Sequence, residues 1–328
     1  MNETIKSSEK RIQAIDIAKG ILIVCVVIGH GSENDSLSNF VYRFHMPLFL
    51  ILAGCFVRKT DDIRTWIKAR TIRYMLPYFF YMLIDFVFFD RVHNINRLLH
   101  YLWGGRFING VYWYMTCLYA ASIIMEYSIG KMSKRGLAVV GIVGGGIAIV
   151  ESNYIGKMPL LERPGIPFGL DVSLIVLSYL IIGFLLKENI LTFFEKKSIK
   201  LDVLAIVLLI ILVSEHLVME TSGMMRQLDM KAVVYKNSIS AYIIPLMYGY
   251  VLARLSAMIA RTNIRTIIAY LGEITMPIMF LHEPLNRFCT LSNNLLIYLL
   301  IGVGIPAILS VMMGRSKYCK LFGIPIRR

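Results

Sequence analysis

Residues 14–31 read AIDIAKGILIVCVVIGHG, an apolar run that is interrupted by Asp16, Lys19 and His30. A helix that spans a bilayer needs about 20 mostly apolar residues, so this run is nearly long enough to cross one. It follows a basic N-terminal stretch, but it carries two charges and lacks a small-residue cleavage site. We therefore expect a retained first helix rather than a signal peptide that is removed.

The rest of the chain has the composition of an integral membrane protein. Of its 328 residues, 57% are hydrophobic and 17% are charged, and the mean hydropathy is +0.64. Soluble domains average about 45–50% apolar and about 25% charged residues. Runs that qualify or nearly qualify as membrane spans lie at 14–31, 41–57, 74–90, 111–129, 136–152, 171–186, 201–218, 239–258, 266–285 and 294–313. We therefore predict an all-α polytopic membrane protein of about ten transmembrane helices, folded as a single domain over 1–328.

Lys and Arg are distributed unequally between the two sides that these runs define. Alternate loops carry 24 of them on one side and nine on the other, with two more inside the runs. Because cytoplasmic loops are enriched in Lys and Arg, this asymmetry predicts that both termini are cytoplasmic. It also accounts for the net charge of +14, so the expected partner is a lipid bilayer and not nucleic acid. Residues 60–73 show a basic amphipathic pattern that suits the cytoplasmic membrane surface.

The five cysteines indicate no redox or metal chemistry. They show no CxxC spacing, and three of them lie inside the apolar runs. Free Cys in such surroundings behaves as a small hydrophobic residue. We expect no disulfide framework, no metal site and no permanently bound cofactor.

Three ionisable residues share one face of the first helix. At about 100° per residue, Lys19 and His30 are three turns plus about 20° apart, and Asp16 and His30 are about 40° short of four turns apart. Ionisable side chains in spanning helices are costly, so each one is a functional hypothesis. The rise of about 16 Å from Lys19 to His30 suits a long ligand that has an anionic head at Lys19. In the alternative, Asp16 simply pairs with Lys19, and His30 ends the helix between Gly29 and Gly31.

The second run contains a further candidate histidine. Residues 43–49 read RFHMPLF, and Pro47 predicts a kink because it removes a helical hydrogen bond. Gly54 allows another backbone to approach closely. His45, next to the expected kink, is either a functional residue or a packing residue.

Two weaker candidates follow later in the chain. The ninth run ends in FLHEP, where His282 and Glu283 stand beside Pro284. The alternative there is a helix end, with His282 at the outer interface. Trp113 opens the fourth run. It has either a functional role or a place in an interfacial aromatic belt.

Together these motifs resemble the acyltransferase-3 family of membrane O-acyltransferases, in particular its bacterial group named for fucose 4-O-acetylases. That family has a basic residue, ten intervening residues and a histidine in its first helix, as Lys19 and His30 are spaced here. The other matching segments, in chain order, are FHMPLF at 44–49 followed by AG at 53–54, RYMLPY at 73–78, YWY at 112–114 and LGEITMPIMFLH at 271–282. Two positions depart from the family, Ala53 in place of Ser and Tyr114 in place of Phe, and neither changes His30.

The resemblance implies an O-acetyltransferase of the bacterial cell (inner) membrane. Such an enzyme takes an acetyl group from cytoplasmic acetyl-CoA and gives it to a hydroxyl of a cell-surface or lipid-linked carbohydrate. We predict catalytic roles for His30, His45 and Glu33, where Glu33 just past the first helix orients His30. Donor binding is predicted for Lys19, Arg73 and Asp16, and substrate or structural roles are predicted for Trp113 and His282.

Two chemical routes fit an imidazole at this position. A neutral His30 could take the proton of a sugar hydroxyl as that hydroxyl attacks the thioester, or it could carry the acyl group itself as an acyl-imidazole. The competing class is a transporter or flippase whose intramembrane His and Lys line a pathway. Within the enzyme class, the alternative donor carries another acyl group, such as succinyl.

Overall fold

The computed structural model describes residues 12–31, 35–90, 94–104, 111–154, 166–222, 228–235, 237–289, 294–314 and 319–324. These residues form helices, with one isolated β-bridge between Asp229 and Val234. The α-helices are α1 (Gln13–Gly31), α2 (Asp35–Tyr42), α3 (His45–Cys55), α4 (Ile63–Ile84), α5 (Ile95–Leu102), α6 (Tyr112–Lys131), α7 (Lys134–Tyr154), α8 (Leu170–Leu185), α9 (Lys187–Glu195), α10 (Ile199–Thr221), α11 (Ile244–Ile259), α12 (Arg265–Glu273), α13 (Thr275–Cys289), α14 (Leu295–Leu299) and α15 (Ile305–Met313). Short π-helical or 3₁₀ turns at Asp85–Phe89, Pro167–Gly169, Ile239–Ile243 and Leu300–Gly304 extend or join them.

Seven helices in the described part of the chain are long and apolar enough to cross a membrane. They are Gln13–Gly31, Ile63–Phe89, Lys134–Tyr154, Pro167–Leu185, Ile199–Thr221, Ile239–Ile259 and Leu295–Met313. The predicted all-α, multi-pass class is confirmed by this arrangement. The count of ten spans stays a prediction, because two of the ten runs are broken into shorter helices and α6 is rich in Tyr.

The second run is interrupted before its proline rather than at it. Helix α2 ends at Tyr42 and α3 begins at His45, so Arg43 and Phe44 form the break. Pro47 then stands in the first turn of α3, where its missing N–H removes no helical hydrogen bond. The kink expected at Pro47 is therefore replaced by a break that sets the direction of His45.

The ninth run is also divided, but not where its last proline stands. Ile274 separates α12 from α13, and α13 continues through Pro284 to Cys289. His282 is 0% exposed within this helix. The alternative of a helix end with His282 at the outer interface is therefore wrong.

The basic amphipathic segment 60–73 is not a separate surface helix. Helix α4 begins at Ile63, where the Asp62 carboxylate accepts the backbone N–H groups of Arg64 and Thr65. The helix then continues without interruption to Phe89. The basic residues therefore occupy the first half of a spanning helix, and this half lines a cavity described below.

Glycine contacts place the helices that carry the polar residues side by side. A Cβ added to Gly272 of α12 would lie 1.8 Å from the carbonyl oxygen of Asp16, and one added to Gly54 would lie 2.2 Å from that of Leu180. These spaces admit no side chain, so the backbones of α1 and α12, and of α3 and α8, are in direct contact, as small residues permit in membrane bundles. The close approach predicted at Gly54 is confirmed.

Burial separates a central helix from lipid-facing ones. In α1, Ile17 and Leu22 are 0% exposed, whereas Ile142 of α7 is 75% exposed and Ile210 of α10 is 60% exposed. Apolar side chains on an outer surface are expected where the surrounding solvent is lipid. Helix α1 therefore crosses the middle of the bundle, and its polar face points into the protein.

The predicted topology has a direct test. A reporter fused after Arg328 should be active in the cytoplasm, and one inserted in the loop 91–106 should be active outside it, because of the Lys and Arg asymmetry. Paired phosphatase and fluorescent-protein fusions in whole cells would measure both positions. Swapped activities would place the beginning of α1 outside the cell and contradict the topology.

Candidate active site

His30 and Glu283 meet across two helices. His30 is in the last turn of α1, and its Nδ1 lies 3.3 Å from Oε1 of Glu283 on α13. Both side chains are about four-fifths buried, with exposures of 19% and 20%. With the proton on Nδ1, the imidazole donates to the carboxylate and keeps a lone pair on Nε2. This is the arrangement of a base that is oriented by a carboxylate.

The residues beside His30 in α1 allow neighbouring rings to pack closely. A Cβ on Gly31 would lie 2.2 Å from the ring of Tyr298, and one on Gly29 would lie 3.1 Å from Val41. The ring of Tyr42 stands edge-on to the His30 ring, with 6.2 Å between centroids. The two glycines thus leave room for Val41 and Tyr298 to pack against the end of α1 that carries His30.

The other two predicted histidines are each held by a backbone carbonyl four residues earlier in the chain, across the α2–α3 break for His45 and within α13 for His282. Nδ1 of His45 is 2.7 Å from the carbonyl oxygen of Val41, and Nδ1 of His282 is 3.0 Å from that of Ile278. Because a carbonyl only accepts, each Nδ1 carries a proton. The His282 ring lies 5.1 Å from that of His30 between centroids. His282 therefore packs directly against the imidazole of the pair.

A cavity of about 420 Å³, here named the inner cavity, lies beside the His30–Glu283 pair. Among the residues predicted from the sequence, His30, His45, Arg73 and Trp113 line it. His282 does not line it. The inner cavity therefore brings together two of the three predicted histidines, one cation and one indole ring.

A larger cavity of about 1380 Å³, here named the basic cavity, lies at the end of the bundle where α1 begins. Asp16 and Lys19 both line this cavity. Nζ of Lys19 is 2.7 Å from Oδ1 of Asp16, so the Asp16–Lys19 ion pair that the sequence offered as an alternative is present. The wall carries six cationic side chains against three carboxylates. The cations are Lys19, Arg58, Arg70, Arg73, Lys187 and Lys320.

The two cavities share part of their walls. The shared residues are Phe49, Arg73, Tyr74, Tyr114, Leu118, Thr275 and Met276. Lys19 lines the basic cavity and His30 lines the inner cavity. The two residues are eleven positions apart on one continuous helix, which is about 16 Å along its axis. A long ligand could therefore have a charged end in the basic cavity and a reacting end near His30.

A strained turn forms a wall of the inner cavity that the sequence did not reveal. This turn, residues 228–235, is closed by two backbone hydrogen bonds of 2.9 and 2.8 Å between Asp229 and Val234. Oδ1 of Asp229 accepts the N–H of Ala232 at 3.1 Å. Val233 has φ of 58°, a left-handed conformation that a β-branched residue rarely adopts. Strained residues of this kind cluster at ligand sites.

The turn places charged groups in the inner cavity, which the His30–Glu283 pair also lines. Asp229 and Lys231 line the inner cavity and do not line the basic cavity. Burial lowers the pKa of Lys231, and the negative charges of Glu283 and Asp229 oppose that shift. The turn therefore brings a cation and a carboxylate to a part of the inner cavity that is separate from the shared wall.

Among the described residues, the carboxylate in contact with His30 is one to which the sequence analysis gave no role. Glu33 lies outside the described residues. Glu283 is the residue in contact, although it was noted only as a neighbour of Pro284. The available signal was a Glu directly after a His in an apolar run that ends near the same membrane surface as His30.

The match to a protein family gives the class of this protein, and the fold and the site agree with it. The described residues form a bundle with several membrane-length helices, which holds a histidine–carboxylate pair next to a cation-lined cavity. The model of the acyltransferase-3 family, which describes an acyltransferase domain, matches residues 12–314, and the chain belongs to this family. The resemblance seen in the sequence motifs is thereby confirmed.

A curated relative matches part of the chain. Nodulation protein NolL of Sinorhizobium fredii (strain NBRC 101917 / NGR234) is 28% identical over 149 residues, which are 39% of this chain and 40% of that protein. The match thus spans less than half the length of either protein. No solved structure matches the chain.

Proposed function

We propose that the protein is an O-acetyltransferase of the bacterial inner membrane that uses cytoplasmic acetyl-CoA as its donor. The acceptor is a hydroxyl of a cell-surface or lipid-linked carbohydrate. The observation that carries this proposal is the His30–Glu283 pair in a cavity that shares its wall with a cation-lined cavity. Membership of the acyltransferase-3 family supports acyl transfer as the reaction.

The basic cavity fits the donor by charge. Acetyl-CoA carries several negative charges at one end and a thioester at the other. Six Lys and Arg side chains would meet its phosphates, with Lys19 held in place by Asp16. Arg73 and Tyr74, which line both cavities, would border the passage of the thioester toward His30.

The inner cavity fits the reaction because the His30 imidazole, held by Glu283, keeps Nε2 as a proton acceptor. Nε2 of His30 takes the proton of the acceptor hydroxyl, whose oxygen forms a bond to the thioester carbonyl carbon. The carbon–sulfur bond then breaks, and the leaving thiolate of CoA takes the proton back from the imidazolium. Glu283 stabilises the imidazolium between these steps. In a variant of this scheme Nε2 of His30 attacks the thioester itself and CoA leaves as the thiolate. The acyl-imidazole then passes the acetyl group to the hydroxyl, the hydroxyl proton goes to the thiolate, and the neutral imidazole is restored.

The wall formed by residues 228–235 fits the acceptor. Asp229 and Lys231 can accept from and donate to sugar hydroxyls, and they line only the inner cavity. The donor and the acceptor would then reach His30 along different walls. Separate walls for two ligands support group transfer over carriage of one ligand.

The test is to incubate the purified protein, in detergent or in liposomes, with acetyl-CoA that is radiolabelled in its acetyl group. Membranes of the producing strain supply the acceptor. We expect label in the glycolipid or polysaccharide fraction together with free CoA. A transporter or flippase would leave acetyl-CoA intact. The same assay with labelled succinyl-CoA tests the alternative donor, and faster transfer of succinyl would replace acetyl in the proposal.

Lys19→Ala should weaken donor binding. Losing one charge-assisted contact costs about 1.5–3 kcal/mol, so the Kd for acetyl-CoA should rise about ten- to a hundredfold. Calorimetric titration of the purified variant measures this change. Lys134→Ala, which removes an exposed lysine at the start of α7, is the control and should leave the Kd unchanged. An unchanged Kd in folded Lys19→Ala protein would mean that Lys19 serves only its ion pair with Asp16.

A further inference from the structure

An aromatic and cationic ladder follows one face of α4. Trp66, Arg70 and Tyr74 are spaced four residues apart, so each step turns about 40° and rises about 6 Å. The Arg70 guanidinium lies 5.1 Å from the centroid of the Trp66 ring and 5.7 Å from that of Tyr74. Its Nη1 also donates to the Tyr74 hydroxyl at 3.1 Å. The three side chains therefore form one connected surface about 12 Å long.

This ladder runs along the basic cavity toward the inner cavity. All three side chains line the basic cavity, and Tyr74 lines the inner cavity as well. Trp66 is half-buried, eight residues before Tyr74 and far from the shared wall. The indole therefore lies at the end of the basic cavity that is remote from His30.

The order of groups along α4 matches the order of groups in an acyl-CoA molecule. A nucleotide base is at the far end of that molecule, its phosphates follow, and the thioester is at the near end. Bases stack on aromatic rings and on guanidinium planes. Trp66 supplies the ring and Arg70 supplies the guanidinium plane. Phosphates pair with Arg side chains, and Arg70 and Arg73 follow along the same helix. The thioester arm would then pass Tyr74 into the inner cavity.

We propose that Trp66 and Arg70 form the adenine subsite of the acyl-CoA donor. This proposal rests on the proposed function, because it assumes a CoA thioester in the basic cavity. It fixes the direction of the donor along α4, with the base at Trp66 and the acyl group beyond Tyr74. It also assigns the amphipathic pattern of residues 60–73 to a nucleotide and not to the membrane surface.

The test separates the two ends of the donor. Wild-type and Trp66→Leu proteins, full-length and purified, are titrated with acetyl-CoA and with adenosine 3′,5′-bisphosphate. Losing one base–aromatic stack should raise both Kd values about five- to a hundredfold. Cleavage of S-acetylpantetheine, which lacks the base and the phosphates, should keep its wild-type rate. Trp66→Phe, which retains a smaller ring, should restore part of the affinity.

Trp103→Leu is the matched control. Trp103 follows α5, is 43% exposed and lines neither cavity, so its loss should change none of the three measurements. Unchanged Kd values in Trp66→Leu would overturn the subsite and leave Trp66 as an interfacial anchor. A loss of S-acetylpantetheine cleavage as large as the loss of acetyl-CoA affinity would also overturn it. If the wild-type protein binds no acetyl-CoA, the proposed function itself fails. This result is distinct from the two outcomes that overturn only the subsite.

Discussion

His30→Ala is expected to abolish acetyl transfer while the protein still inserts and binds acetyl-CoA. Loss of a general base typically lowers the rate by about 10²–10⁴, and loss of a covalent nucleophile should lower it at least as much. Binding should persist because the cations that would hold the donor are in the basic cavity, about 16 Å along α1 from the imidazole. Radiolabel transfer, divided by the amount of folded protein, measures the change.

The other histidines supply graded controls for this variant. His100→Ala, which removes an exposed histidine of α5, should retain full activity. His282→Ala and His45→Ala should be milder than His30→Ala, because both rings are bound through Nδ1 to backbone carbonyls. If His30→Ala keeps more than about a tenth of the wild-type turnover, the catalytic assignment is wrong. His45, which lines the same inner cavity, is then the next candidate.

The sequence alone predicted the features that depend only on residues within one helix. Helical periodicity placed Asp16, Lys19 and His30 on one face of α1, and the structure has Asp16 and Lys19 on the basic cavity and His30 on the inner one. The apolar runs likewise located most of the helices to within a few residues. Such features depend on neighbours in the chain, so a single sequence carries them.

The sequence alone did not predict contacts between residues that are far apart in the chain, because the fold decides which of them meet. Glu33, three residues from His30, was the nearest carboxylate in the chain, whereas Glu283 reaches His30 only because α13 crosses α1. Helix breaks gave a similar difficulty, since Pro47 lies within a helix start and Pro284 within a continuing helix. The wall at 228–235 joins the inner cavity through tertiary packing, which no periodicity reports.

Glu283→Gln should lower turnover by at least about a hundredfold without changing the Kd for acetyl-CoA. The amide keeps nearly the same shape, but it carries no charge to stabilise an imidazolium, and its NH₂ group can turn the imidazole to the wrong tautomer. Separate measurement of turnover and of donor binding distinguishes this effect from unfolding. Glu195→Gln, at the exposed end of α9, makes the same chemical change away from both cavities and should be silent.

The double variant decides whether the two residues act as one unit. If Glu283 acts only by orienting and stabilising the His30 imidazole, Glu283→Gln should lower the residual rate no further once His30 is Ala. Glu283→Asp retains the charge but withdraws it by one methylene from a contact that is already 3.3 Å long, so it should recover only part of the turnover. Independent, multiplicative losses in the double variant would show that Glu283 acts on the substrate directly. The carboxylate that orients His30 would then have to be sought elsewhere, with Glu33 as the first residue to substitute.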